Sequence, residues 1–113
     1  MTLPFLFCAS ITAIAAVTSF GFSVTAALSA TGTARTMALY ACARSTALVI
    51  ASAVPFVTGS TGWLQAIAWS MIIVQACDAV IGWTINDPMK TYGPAGTALL
   101  NIVAVIWLIQ AVP

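Results

Sequence analysis

The fold is decided by the stretch WLQAIAWSMIIVQACDAVIGWTI, residues 63–85. It carries a single charged side chain, Asp78, and exceeds the ~20 apolar residues that an α-helix needs to cross the hydrocarbon of a bilayer. Its flanking tryptophans, Trp63 and Trp83, lie 20 positions apart, which is roughly 30 Å at ~1.5 Å per residue. Because tryptophan favours the membrane–water interface, this spacing predicts a helix that spans a membrane.

The composition of the whole chain supports the same prediction. Of its 113 residues, 62% are hydrophobic and 4% are charged, whereas soluble domains carry roughly 25% charged residues. Three basic and two acidic side chains cannot cover the surface of a soluble domain, and a lipid bilayer as the surrounding medium removes that requirement. The formal net charge of +1 gives no reason to expect nucleic acid as a partner.

Three further apolar segments have lengths suited to spanning a bilayer. Gly-, Thr- and Pro-rich breaks separate the segments, as is typical of loops, and breaks this short make neighbouring helices antiparallel. No run alternates apolar and polar residues as a membrane barrel requires. We therefore predict an all-α, four-helix antiparallel transmembrane bundle, a single polytopic membrane domain over residues 1–113. The predicted helices cover about residues 3–30, 36–57, 63–85 and 94–112.

The basic residues of the breaks predict the orientation of the bundle. Arg35 lies in the first break and Lys90 in the third, while the second break and both termini carry no Lys or Arg. The positive-inside rule then places the first and third breaks in the cytoplasm. Both termini are expected on the non-cytoplasmic side.

Two charged residues, Arg44 and Asp78, lie inside predicted spans. Arg44 follows Arg35 by nine residues and Asp78 precedes Asp87 by nine, so antiparallel helices bring the two to a similar depth, near the cytoplasmic leaflet. An unpaired charge near a helix centre costs about 2.5–3.5 kcal/mol on insertion scales, and less at this shallower depth, where pairing offsets much of the remaining cost. We therefore predict a direct or water-bridged Arg44–Asp78 salt bridge. This salt bridge could belong to a functional site, or it could serve only to fix which helices pair.

Helical periodicity predicts which other side chains line the bundle interior. At ~100° per residue, Tyr40 shares a face with Arg44, and Gln75 shares one with Asp78. Gln75 and Asn101 also fit interhelical hydrogen bonds, and Tyr40 fits the membrane interface. The predicted ligand-binding residues are Arg44, Asp78, Gln75, Tyr40 and Asn101. The other residues predicted to face inward are Cys8, Thr12, Ala15, Ser19, Ser23, Ala27, Ala47, Ala51, Pro55, Ile67, Met71, Gly82, Pro94 and Thr97.

The missing residue types limit the chemistry. The chain has no His and no Glu, which removes the usual metal ligand sets and most acid–base groups. Cys8, Cys42 and Cys77 lie in apolar runs and are expected to be free thiols that behave as small hydrophobes. We predict no metal site and no cofactor.

The stretch from Arg35 to about Leu108 resembles a family of small four-helix membrane proteins known as a domain of unknown function (family 4267). The resemblance rests on two motifs, YACARSTAL at residues 40–48 and QACDAV at residues 75–80. It implies that Arg44 and Asp78 are the characteristic polar residues. Members often have a His before the last helix, where this chain has Lys90-Thr91-Tyr92-Gly93-Pro94, so a His-dependent activity is not expected.

Three functions stay open at this level. The first is a binding or assembly subunit, which would hold a lipid-like or isoprenoid molecule or join a homo-oligomer or larger membrane complex. The second is an intramembrane enzyme, such as a lipid or terpenoid isomerase or cyclase, with Asp78 as acid or base, Arg44 tuning it, and Tyr40 as partner. The third is a transporter or channel subunit.

Overall fold

The computed structural model describes residues 2–111 and every side chain among them except those of Met89 and Lys90. Nearly all of this part of the chain is helical, and it contains no strand. The predicted all-α four-helix bundle is confirmed. The helices are α1 (Leu3–Ser29), α2 (Gly32–Thr58), α3 (Thr61–Thr84) and α4 (Pro88–Ala111).

Three helices begin earlier than predicted, α3 by two residues and α2 and α4 by more. α2 starts at Gly32 rather than residue 36, because nothing in Thr33-Ala34-Arg35 opposes a helix. α4 starts at Pro88 rather than residue 94, because proline suits the first helical position, where its missing N–H costs nothing. The Asp87 carbonyl accepts the first bond of α4, from the Thr91 amide at 3.1 Å. The predicted end of this helix at residue 112 lies outside the described residues.

The three connections are short, as predicted. Between α2 and α3, Gly59 ends α2 in the left-handed region (φ 66°), which glycine adopts without steric cost. Ser60 then caps α3, because its hydroxyl accepts a hydrogen bond from the Trp63 amide at 3.2 Å. Between α3 and α4, Asn86 takes a positive φ of 57°, a conformation in which asparagine is enriched.

The helices are arranged as a flattened diamond. α1 and α3 contact each other and both remaining helices, whereas α2 and α4 do not contact one another. The core lies between α1, α3 and α4, where buried alanines such as Ala9, Ala68 and Ala104 let the helices approach closely. The main cluster consists of Phe5, Cys8, Ala9, Leu64, Ile67, Ala68, Ile72, Ala104, Val105 and Leu108.

Helix α2 lies at one corner of the diamond and is covered least. In its membrane-spanning window 11% of the residues are buried, against 28–39% in the other three. Its fully buried residues are Ser45, Ser52 and Pro55. Most of the surface of α2 is therefore exposed on the outside of the bundle.

A proline and a tryptophan join α2 to α3. Pro55 lies inside α2, and since it has no N–H, the Ala51 carbonyl four residues earlier loses its helical donor. The indole Nε1 of Trp63 donates a hydrogen bond to that carbonyl at 2.8 Å. Neighbouring groups that satisfy a freed carbonyl are what makes proline tolerable within a membrane helix.

Candidate functional site

The predicted ion pair forms at the boundary of α2 and α3. Arg44 Nη2 lies 3.6 Å from Asp78 Oδ1, so the predicted salt bridge is confirmed. The pair is not enclosed, because the Arg44 side chain is 47% exposed and the Asp78 side chain 27% exposed. The charges lie on the outer surface of the bundle, so the prediction that Arg44 and Asp78 line its interior is wrong.

The packing of α2 fixes this position. Ser45 faces α1, and Arg44, about 100° around the helix from Ser45, lies on the α3 side. Asp78 lies six residues before the end of α3, about 9 Å along the helix axis. Because helical side chains lean towards the N-terminus of their helix, the Arg44 head group reaches towards the depth of Asp78.

The ion pair is short of hydrogen bonds. At 3.6 Å the contact is longer than a hydrogen bond, and neither Arg44 nor Asp78 has a hydrogen-bond partner in the part of the chain that the structure describes. A guanidinium offers five N–H donors and a carboxylate about four acceptor sites. Most of this capacity is left for groups outside the chain.

Gln75 lies inside the bundle, as predicted. Its side chain is 5% exposed and lies three residues before Asp78, on the same face of α3. Its amide makes no hydrogen bond to the described residues. Gln75 therefore adds a second group with unused hydrogen-bonding capacity close in sequence to Asp78.

Tyr40 does not line the interior, and this part of the prediction is wrong. Its side chain is 74% exposed, because the buried face of α2 runs through Ser45 and Ser52. Tyr40 lies about 140° around the helix from Ser45. Ala47 is likewise exposed, so of the predicted inward residues on α2 only Pro55 is fully buried.

Asn101 is fully buried on α4 but belongs to a different site. Thr12 Oγ1 lies 3.0 Å from Asn101 Oδ1 and 2.8 Å from the Cys8 carbonyl, while Asn101 Nδ2 has no partner among the described residues. If the oxygen and nitrogen of the Asn101 side-chain amide are exchanged, Nδ2 donates a hydrogen bond to the Thr12 hydroxyl. The Thr12 hydroxyl then donates its own hydrogen to the Cys8 carbonyl, and both donors have an acceptor. Since α2 and α4 do not touch, the structure does not bring Asn101 to Arg44.

A serine cluster near the ion pair was not predicted. The Ser45 hydroxyl lies 3.2 Å from that of Ser19 and 3.3 Å from that of Ser23. Ser19 and Ser23 belong to the predicted inward stripe of α1, whereas Ser45 is not among the predicted residues. The seven-residue spacing from Ser45 to Ser52 was the available signal, since two helical turns return to nearly the same face.

The predicted inward stripe of α1 is largely confirmed. Cys8, Thr12, Ala15 and Ser23 are buried, and Ser19 is half-buried. On α3, the predicted inward residues Ile67, Met71 and Gly82 are buried. On α4, Pro94 and Thr97 are half-buried.

Two depressions on the surface of the bundle are open and apolar. One, about 400 Å³, is lined by Ala76, Cys77, Val80 and Ile81 of α3. The other, about 180 Å³, lies around Trp63 and Ala51. Neither is lined by Arg44, Asp78 or Gln75. No group of three or more His, Cys, Asp or Glu side chains that could hold a metal ion occurs within residues 2–111.

These features define a class of protein. All four helices are long and apolar enough to cross a membrane, and at ~1.5 Å per residue helices of 24–27 residues measure about 36–40 Å. Large apolar side chains such as Phe22, Ile50 and Leu99 are exposed around the bundle, as lipid-facing residues are. The chain is a four-helix bundle with the character of an integral membrane protein.

No protein family, curated protein or solved structure matches the chain. The resemblance to the family of unknown function stays a prediction.

Proposed function

We propose that the protein is a small assembly subunit of the membrane, which docks onto other membrane helices through the surface that carries Arg44 and Asp78. The observation that supports this function best is the position of the ion pair, which lies half-exposed on the outside of the bundle without hydrogen bonds. The lipid bilayer surrounds the remaining surface.

The physical argument concerns the cost of charges in hydrocarbon. Ionisable side chains within spans almost always face a bundle interior or a water-filled cavity. One left in lipid costs about 2.5–3.5 kcal/mol at the bilayer centre on insertion scales, and the cost falls towards the interface. A partner helix laid over Arg44 and Asp78 removes them from lipid and supplies hydrogen-bond partners. The sparse burial of α2 leaves room for such a helix.

A second candidate is an intramembrane enzyme or binder of a lipid-like or isoprenoid molecule. Its support is the open apolar depression on α3, whose lining residues flank Asp78 in sequence. Asp78, 27% exposed, would act as acid or base with Arg44 beside it. Tyr40, the third predicted catalytic residue, lies on the exposed side of α2. The transporter or channel role stays a prediction without added support.

The proposed orientation keeps both termini outside the cytoplasm and the ion pair near the cytoplasmic leaflet. Arg35 is exposed near the start of α2, and Lys90, whose side chain lies outside the described residues, belongs to the first turns of α4 at the same end of the bundle. Labelling of a cysteine placed at Ser60 from the cytoplasmic side only would contradict this orientation, since the second connection should share the outer side with both termini.

The experiment that tests the assembly function is native mass spectrometry of the protein extracted in native lipid discs. We expect wild type as part of an assembly heavier than one chain. The double variant Arg44→Gln/Asp78→Asn should dissociate to single chains while its helical circular dichroism stays unchanged. Thr46→Val, on the exposed side of α2, is the matched control and should stay assembled.

Two outcomes would count against assembly. Wild type found only as a bare single chain contradicts the proposal directly. A single chain that retains one lipid or isoprenoid molecule, and loses it in Asp78→Asn, would favour the second candidate instead.

A further inference from the structure

The surface that carries the ion pair is the outer seam between α2 and α3, on the side of these helices that faces away from α1. We define the α2–α3 seam by Arg44 and Ala47 of α2 and by Val74 and Asp78 of α3. Taking the proposed assembly function as its basis, we infer that a second copy of this chain occupies the seam. The two copies form a parallel two-fold dimer in which Arg44 of each chain contacts Asp78 of the other.

Charge complementarity identifies the occupant. The seam presents one cation and one anion 3.6 Å apart, so it is electrically neutral and complementary to itself. A two-fold interface brings the same patch of both subunits together. A residue that contacts a second residue across the interface is then itself contacted in the same way by the other subunit's copy of that second residue. Apposed seams would place two guanidinium groups and two carboxylates in one alternating ring.

Membrane insertion favours this symmetry. Two copies of one sequence insert with the same orientation, because the same basic residues direct each. Their two-fold axis then runs along the membrane normal and keeps equal residues at equal depth. Since Arg44 and Asp78 already meet at one depth within a chain, they also meet between chains.

The dimer would complete the hydrogen bonding that one chain lacks. Each carboxylate would gain a second guanidinium, which uses acceptor sites that no described residue occupies. Charge-assisted hydrogen bonds of this type are the strong ones. Ala43 and Ala47, both exposed on α2, allow the close backbone approach on which membrane helices rely for association.

None of the other spanning surfaces that the structure describes offers the same complementarity. The chain has five charged residues in total, and α1 carries none of them. The exposed spanning face of α4 presents large apolar side chains such as Leu99, Leu100 and Val103, which suit lipid.

Cysteine cross-linking in membranes tests the dimer. The background chain carries Cys42→Ala and Cys77→Ala and keeps Cys8, which is fully buried. Ala47→Cys places a thiol in the seam, and Leu100→Cys places one on the exposed face of α4 as the matched control. With a bifunctional maleimide, we expect Ala47→Cys to give a covalent product of twice the chain mass and Leu100→Cys to give none. Adding Arg44→Gln and Asp78→Asn to Ala47→Cys should remove most of this product.

The outcomes separate the dimer from the wider assembly proposal. An Ala47→Cys product whose mass is that of one chain plus a different protein would overturn the dimer and leave the assembly function standing. Wild type that remains a single chain in native lipid discs would overturn both, and this measurement holds even where a variant fails to accumulate. Equal dimer yields from Ala47→Cys and Leu100→Cys would also overturn the seam as the interface.

Discussion

The α1–α3–α4 core and helix α2 satisfy their polar groups in different ways. In the core, the side-chain hydroxyl of Thr12 meets both Asn101 and the Cys8 carbonyl inside the chain, and alanines bring the three backbones together. On α2, Ser45 turns inward towards α1, while Arg44 lies on the outside with one long contact to Asp78.

This difference separates what the chain stabilises alone from what it leaves for a partner. Lipid tails are as apolar as leucine, so membrane helices associate by packing and hydrogen bonding rather than by a hydrophobic driving force. The core meets both conditions within one chain. The α2–α3 seam meets neither fully, and we therefore assign it to assembly.

The largest expected effect breaks the core. Ala68→Leu adds three carbons where Ala68 is fully buried among α1, α3 and α4, and overpacking of this kind costs about 1–3 kcal/mol. We expect unfolding by SDS in mixed micelles, followed by circular dichroism, to shift accordingly. Ala66→Leu, exposed two residues earlier, should leave the unfolding midpoint nearly unchanged. Equal shifts for the two variants would mean that the core does not lie between these helices.

The next effect loosens α2 from α3. Trp63→Phe removes the indole donor from the Ala51 carbonyl, and the loss should be about 1 kcal/mol. Pro55→Ala returns a backbone N–H to that carbonyl, so Trp63→Phe should cost less in the Pro55→Ala background. Additive losses in this double-mutant cycle, measured by the same SDS unfolding, would show that the two residues do not act on one carbonyl.

A smaller effect sharpens the account of the core. Thr12→Val and Asn101→Leu each remove one side of the buried hydrogen bond at 3.0 Å. Interhelical hydrogen bonds in membranes average about 0.6 kcal/mol in double-mutant cycles, so we expect a coupling free energy of that size. A coupling free energy near zero would indicate that the two side chains lie close together but form no hydrogen bond that stabilises the fold.

The smallest effect concerns the serine cluster. Ser45→Ala removes the hydroxyl that lies between those of Ser19 and Ser23, while Ser23 keeps its bond to the Ser19 carbonyl at 2.9 Å. The loss of unfolding free energy should stay below about 0.6 kcal/mol. A loss several times larger would place α2 within the stabilising core and weaken the contrast with α1, α3 and α4.

The sequence was sufficient to predict the four helices, because their length and apolar composition have no other common explanation. It also predicted the Arg44–Asp78 pair, since two charges at one depth on neighbouring helices have a strong reason to meet. The inward face of α1 followed from a stripe of small and weakly polar residues, and that of α3 followed from helical phase relative to Asp78.

The inward face of α2 could not be predicted in the same way. Lipid and core are both apolar, so a helix of Ala, Ser and Val residues shows little contrast between its faces. Arg44 marks the edge of the buried face of α2 rather than its centre, and the prediction for Tyr40, which rests on its phase relative to Arg44, is therefore wrong. The predicted start of α4 is too late because Pro88 suits a first helical turn as well as a loop.

The central claim is that the ion pair is shared between chains, and mixing two single variants tests it most directly. Arg44→Gln keeps only the acid and Asp78→Asn keeps only the base, so each homodimer would hold like charges while the mixed dimer regains one Arg44–Asp78 contact across the interface. Tags of different mass distinguish the species by native mass spectrometry after co-expression. We predict that the mixed dimer exceeds the proportion expected from random mixing. Random proportions, or single chains only, would contradict the claim.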